Sequence, residues 1–223
     1  MARHGLYAEC GGGREEKSKR TMARIQEAGI RLFVSNGYFG TSVADIARAT
    51  GLTKAAMYAH FSGKSDLLFS LIHQYEFQYL DRVIEEVSWA SGDAIDKLHR
   101  FLSFCADFGK KNQELCLLLT ILSAEFIGSD NEFQPEINRI YAKFSRFLMR
   151  LVEKGQEQGV IDATLDPSSL AHVIIAIHDG ILLEGYRGRD FLGKAYIRNL
   201  SRLIFDGIRP SSSHKSRHNG SEE

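Results

Sequence analysis

Proline is scarce in this chain: Pro135, Pro167 and Pro210 are the only three in 223 residues. Long apolar-periodic stretches separate them, which excludes a strand-rich fold needing a turn every dozen residues or so. Apolar runs are short. Leu115 to Leu122 is among the longest, and it is far too short to cross a bilayer. The first residues lack the apolar segment of a secretory signal, so a cytoplasmic protein is expected. Cysteine is limited to Cys10, Cys105 and Cys116. An odd number without a CxxC pair excludes a disulfide framework and a zinc ribbon. The usual catalytic signatures are missing as well: GxSxG, HExxH and paired Glu-x-x-His motifs do not occur. Gly11-Gly12-Gly13 is not followed by the Gly-Lys-Ser/Thr of a phosphate loop. His172 and His178 are six apart and do not share a helical face for a metal. No catalytic residue, metal or cofactor is expected.

Net charge is absent, with 28 Lys/Arg against 28 Asp/Glu. Its distribution is uneven. Residues 1–66 carry ten basic and six acidic side chains, and the remainder eighteen and twenty-two. A basic head on an acidic body suits a protein that touches nucleic acid with one end.

What is present is helical periodicity. Residues 1–18 lack it and are expected as a disordered arm; residues 209–223 are expected as a polar tail in which His214 and His218 ligate nothing. A first helix from Lys19 places Ile25, Ala28, Leu32 and Phe33 on one face and stops at Asn36-Gly37. Thr41 or Ser42 caps a short second helix that breaks at Gly51. A third runs from about Thr53 to Phe61, and Ser62 to Asp66 opens a long fourth. Further helices are expected from Asp93 to about Lys111, from Glu114 to about Phe126, and from Pro135 to Gln158. Asp166-Pro167, an N-cap followed by proline at the first helical position, starts one that reaches about Tyr186. The last spans about Phe191 to Asp206.

The most informative stretch is Thr41 to Lys64, TSVADIARATGLTKAAMYAHFSGK. Ala47 is small where two helices would cross, and Gly51 can take a positive φ in the turn. Val43, Ile46, Leu52, Met57 and Phe61 supply apolar contacts that lock the pair. This is a helix-turn-helix pattern, whose second helix enters a DNA major groove. Met57-Tyr58-Ala59-His60-Phe61 and Lys64, with Asn36-Gly37-Tyr38 and Thr41 upstream, closely resemble the signature of the TetR/AcrR family of regulators over about residues 20–70. The resemblance implies an all-α fold of about nine helices. Three form a DNA-binding domain, here residues 19–66, and the others a ligand-binding and dimerisation domain, here residues 67–208.

By the same resemblance, Thr41 and Ser42 meet phosphate at the start of the second helix. Thr53, Lys54, Ala55 and Ala56 face base edges or the neighbouring backbone, and Tyr58, His60 and Lys64 contact phosphate. One position departs from the family pattern. Ala44 stands where many relatives carry a polar residue able to reach a base, so direct readout shifts to Thr53 and Lys54. The implied function is a repressor released from a palindromic operator by a largely apolar molecule.

The body is rich in aromatic and aliphatic residues, and most of them read as core. Phe104, Phe108, Cys116, Leu119, Phe126 and Phe144 are candidates for lining an effector cavity, with Glu125, His178 and Asp179 as polar anchors. Ala176 and Gly180, four apart on one face, allow close helix approach. With Ile177, Ile181, Tyr196, Leu200 and Leu203 they form the expected homodimer interface, a two-fold four-helix bundle. A bundle enzyme and a helical scaffold without DNA binding are the competing readings.

Overall fold

A computed structural model describes residues 10–187 and 194–210, except the side chains of 10–13 and 194–197. Within them every regular element is helical: α1 (Cys10–Asn36), α2 (Val43–Thr50), α3 (Lys54–Tyr58), α4 (Lys64–Tyr75), a π-helical turn (Glu76–Leu80), α5 (Asp81–Trp89), α6 (Ala94–Lys111), α7 (Gln113–Glu125), α8 (Gln134–Glu157), α9 (Pro167–Tyr186) and α10 (Lys194–Ile208). The segment from α4 through the π turn to α5 is unbroken, so nine continuous helices are described. No helix among the described residues is long and apolar enough to cross a membrane.

The start signals act where they stand. Asp93 accepts from Asp96 N and Asp96 returns a bond to Asp93 N, a complete capping box at the head of α6. Asp166 accepts from Ser169 N to cap α9, with Pro167 in its first turn. One expectation is corrected: residues 10–18 are not an unstructured arm, because α1 begins at Cys10. Residues 14–20 of it are all exposed, so apolar periodicity could not mark them. Instead, Lys19 pairs with Glu15 at 2.7 Å and Arg20 with Glu16 at 3.1 Å, one turn apart along the exposed surface. The third helix is also shorter than expected and closes at Tyr58, leaving His60 and Phe61 in the turn that follows. Residues 1–9 and the tail beyond 210, with His214 and His218, lie outside the described residues.

The π turn has a packing cause. Leu71, Tyr75, Tyr79, Val83 and Val87 are all buried, and they recur at a strict four-residue spacing. In an α-helix each such step rotates the side chain by about 40° away from the starting face. A π turn holds more residues and cancels the drift. The long helix can therefore reach from the head into the body with one continuous buried face.

The core is contiguous. In the head, α1 contributes Ile25, Ala28 and Phe33, packed with Ile46 of α2, Met57 of α3 and Leu67 and Leu71 of α4. In the body, α8 packs on α9 and α6, α7 on α9 and α6, and both α5 and α10 pack on α6. Arg24 of α1 donates to Thr50 O at 2.6 Å, tying the end of α2 to the first helix.

Candidate nucleic-acid interface and effector site

The reading head is built by two short helices whose ends are fixed by their own side chains. Ser42 caps α2 by accepting from Asp45 N at 3.2 Å, and Asp45 accepts from Ser42 N at 3.1 Å. The Ser42 hydroxyl and backbone N–H both donate to the Asp45 carboxylate and hold it below its usual range, with help from Arg48. Gly51 adopts φ +64° and passes its N–H to Ala47 O and Arg48 O, the left-handed turn that glycine allows without strain. Thr53 then caps α3 by accepting from Ala56 N at 3.1 Å. Buried Ala47, Ile46, Met57 and Phe61 fix the crossing.

The outward side of α3 is what remains. Thr53, Lys54 and Ala55 are exposed, Tyr58 is 52% exposed, and Ala56 and His60 are half-buried. Ser42 is exposed beside them at the α2 N-terminus. These expected DNA-contacting residues are thus at least partly open to solvent, and two others are corrected. Thr41 is buried, and its hydroxyl donates inward to Gly37 O at 2.8 Å and Leu32 O at 3.2 Å. Lys64 is committed to the protein as well. Its ammonium donates to Tyr38 O at 2.7 Å and Thr41 O at 2.8 Å and lies over the Tyr38 ring at 4.0 Å. One of three N–H donors is left for a phosphate. Burial lowers its pKa, opposed by the charge of Glu125.

Glu125, expected as a ligand anchor, instead joins head to body. Its carboxylate accepts from Tyr38 N at 2.7 Å and Phe39 N at 2.9 Å. Gly37, at φ +76°, makes room: a Cβ there would stand 2.8 Å from Glu125 Oε1. Phe126, the other misplaced cavity candidate, packs edge-on against Tyr38 and Phe39 and stacks on Phe133. No local sequence signal marks this clamp, since its partners are more than eighty residues apart.

A second polar cluster lies deep in the body. Tyr79, on the π turn, donates its hydroxyl to Cys105 Sγ at 3.1 Å and meets His178 Nε2 at 2.5 Å. His178 Nδ1 lies 3.0 Å from Asp179 Oδ1, and Tyr141 donates to Asp179 Oδ2 at 3.0 Å. Burial disfavours a charged imidazole, but the Asp179 carboxylate, with Cys105, outweighs it and raises His178 to about 9. Aromatic rings enclose the cluster. Phe104 and Phe108 lie against Tyr79, and Phe101 and Phe144 against His178. Of the expected cavity residues, Phe104, Phe108, Phe144, His178 and Asp179 therefore come together here, and Cys116 lies close enough to interact with Tyr79 and Cys105. Burial holds the Cys116 thiol protonated, consistent with a small core residue. Leu119 is buried in the same core. Tyr79 and Cys105 are not among the expected cavity residues; the four-residue spacing of Leu71, Tyr75, Tyr79, Val83 and Val87 is the signal that could have found Tyr79.

Both α9 and α10 present exposed apolar residues. Ala176 and Gly180 are exposed, Ile177, Ile181 and Leu200 half-buried, and Leu203 is 76% exposed. Val173, Leu183 and Tyr186 are exposed as well. A Cβ added at Gly180 meets nothing within 4 Å, so its space is open on the single chain. The Tyr196 side chain lies outside the described residues.

Two family models match the chain: "Bacterial regulatory proteins, tetR family" over residues 25–71, and "Tetracyclin repressor-like, C-terminal domain" over residues 94–186. The transcriptional repressor DhaR of Mycobacterium sp. is 26% identical over 196 residues, covering 86% of this chain and 96% of its own. The fatty acid metabolism regulator protein of Bacillus subtilis is 28% identical over 153 residues, 67% of this chain and 76% of its own. The crystal structure of the MbdR regulator from Azoarcus sp. CIB superposes with a TM-score of 0.77 at 28% identity, covering 84% of this chain and 98% of that one. That of the Bacillus subtilis FadR regulator in complex with stearoyl-CoA gives a TM-score of 0.67 at 23% identity, over 84% and 99%.

Proposed function

Because the chain belongs to the tetR family of bacterial regulatory proteins, which are DNA-binding transcriptional regulators and not enzymes, we propose that it is a homodimeric repressor released from a palindromic operator by a largely apolar small molecule. The observation that carries this reading is the Tyr79–His178–Asp179–Tyr141 network in its aromatic bed. It pairs a few converging polar groups with a large apolar surround, the composition of a small-molecule site. Tyr79 sits on the same unbroken helix as Lys64, so the helix that would feel the effector also holds the loop ahead of α2. Two solved structures of similar fold hold acyl compounds: the FadR structure contains stearoyl-CoA, and the AibR structure isovaleryl coenzyme A and operator DNA.

Exposed Ser42, Thr53, Lys54, Ala55 and Tyr58, with half-buried Ala56 and His60, are the proposed DNA surface. Lys54 and Tyr58 would meet phosphate or base edges, and Lys64 would add one N–H while chiefly positioning the loop. On α9 and α10, Ala176, Ile177, Gly180, Ile181, Leu200 and Leu203, with Tyr196, would close the dimer and space the two heads.

A gel shift with the DNA flanking the gene, with and without stearoyl-CoA, isovaleryl-CoA and uncharged aromatic compounds, tests this reading. One apolar class should dissolve the complex. Release by only a metal ion or a sugar would overturn the apolar effector, and no retarded complex would overturn the repressor.

A further inference from the structure

A groove of about 500 Å³ opens on the outside of the body between α5, the start of α6 and the second half of α8. Its floor is apolar, made by Ile84, Val87, Phe147 and Leu151. Its rim carries Lys97, Lys143, Arg146, Arg150 and Lys154, and no carboxylate lines it. The three cations Arg146, Arg150 and Lys154 stand one turn apart on α8, where like charges repel. Some are neutralised elsewhere: Lys143 by Glu76 and Asp81, Lys154 by Glu157, while Lys97 donates to Ser88 O. Arg146 and Arg150 are exposed and have no hydrogen-bonding or ionic partner among the described residues. The N-terminus of α6 also faces the groove, but Asp93 and Asp96 cap it and Gln158 accepts from Ala94 N. An anion would therefore be seated by the two arginines and not by the helix end.

We propose that this groove binds an amphipathic anion, an acyl chain ending in a phosphate or carboxylate. The chain would lie over Val87 and Phe147, where burying its methylenes gives the affinity. The head group would take paired N–H bonds from Arg146 and Arg150, whose planar forks suit phosphate and carboxylate oxygens. The site is separate from the buried cluster and does not rest on the core effector. The two faces of α8 divide them: Tyr141 and Phe144 touch Asp179 and His178, whereas Phe147 and Arg150 line the groove.

Trp89 is the sole tryptophan and directly follows Ser88, a lining residue, so its emission reports on the groove. Full-length protein is titrated with dodecyl phosphate, dodecanoate, dodecanol and inorganic phosphate. Dodecyl phosphate or dodecanoate should change the emission saturably, with dodecanol and inorganic phosphate inert at the same concentration; the better of the two anions identifies the head group. Arg146→Glu/Arg150→Glu should weaken binding about tenfold or more, the loss of charge-assisted bonds. Arg150→Gln should weaken it less. Both residues are exposed and unpartnered, so melting temperature and DNA binding without ligand should hold. His178→Asn, in the core, should leave the anion's affinity unchanged. The proposal is overturned if neither anion binds, if dodecanol binds as well, if charge reversal changes nothing, or if only His178→Asn abolishes the response.

Discussion

Glu125 and Lys64 show how much a single side chain can carry at the loop ahead of α2. The Glu125 carboxylate holds two consecutive backbone amides, and the Lys64 ammonium holds the carbonyls of the same loop from the other side. Charge-assisted bonds of this kind contribute roughly 1.5–3 kcal/mol each. Glu125→Gln keeps the shape and loses the charge, and it should lower thermal stability while weakening the effector's influence on DNA affinity; full ligand response in this variant would show that the clamp does not couple head to body. The two head lysines should then behave differently in salt titrations of DNA affinity. Lys54→Ala should reduce the slope of log affinity against log salt by about one unit, one phosphate contact's worth. Lys64→Ala should chiefly lower stability and affinity with a smaller change in slope. Equal slope losses would return Lys64 to a purely phosphate-binding part. In the core, His178 titrates near 9 instead of 6.5. Its charged form therefore stabilises the fold fully below about pH 6.5, and the gain is lost as pH rises through 9. The melting-temperature gap between wild type and His178→Asn should be wide at pH 6 and shrink by pH 9.5.

Elements divide into those their own residues specify and those set by distant partners. The caps of α2, α6 and α9 were legible because Ser42, Asp93 and Asp166 act within three residues of themselves. Gly51 was legible because a turn between two short helices needs its positive φ. The polar start of α1 was not, since surface ion pairs leave no apolar rhythm. The π turn showed only as a four-residue spacing, readable once Tyr79 is known to be buried. Thr41, Lys64 and Glu125 were placed by family pattern or polarity alone, and neither reveals which way a side chain turns. Glu76, at the first position of the π turn, is clamped by Arg139 and Lys143 of α8. The Arg139 bonds, joined by Lys143 and opposed by partial burial, hold its carboxyl down at about 2. That stability is present above about pH 4.5 and lost as pH falls toward 2. Glu76→Gln should therefore narrow its deficit against wild type between pH 6 and pH 3 in thermal melts; a constant deficit would remove the clamp from the account.

At the scale of the whole molecule, the basic head and the exposed apolar residues of α9 and α10 belong to one argument. A head with one short reading helix contacts few bases, and pairing two heads doubles both the contacts and the sequence read. Gly180→Phe fills space that is open on the single chain, so it should fold normally yet sediment as a monomer and bind DNA weakly. A dimeric Gly180→Phe would move the interface elsewhere. The most direct test of the account is a nuclease footprint of the purified protein on the DNA flanking its own gene. The account predicts protection of a palindrome whose half-sites are one helical turn, or a multiple of it, apart, abolished in Gly180→Phe and weakened in Lys54→Ala. Uniform protection without sequence preference, or none, would contradict it.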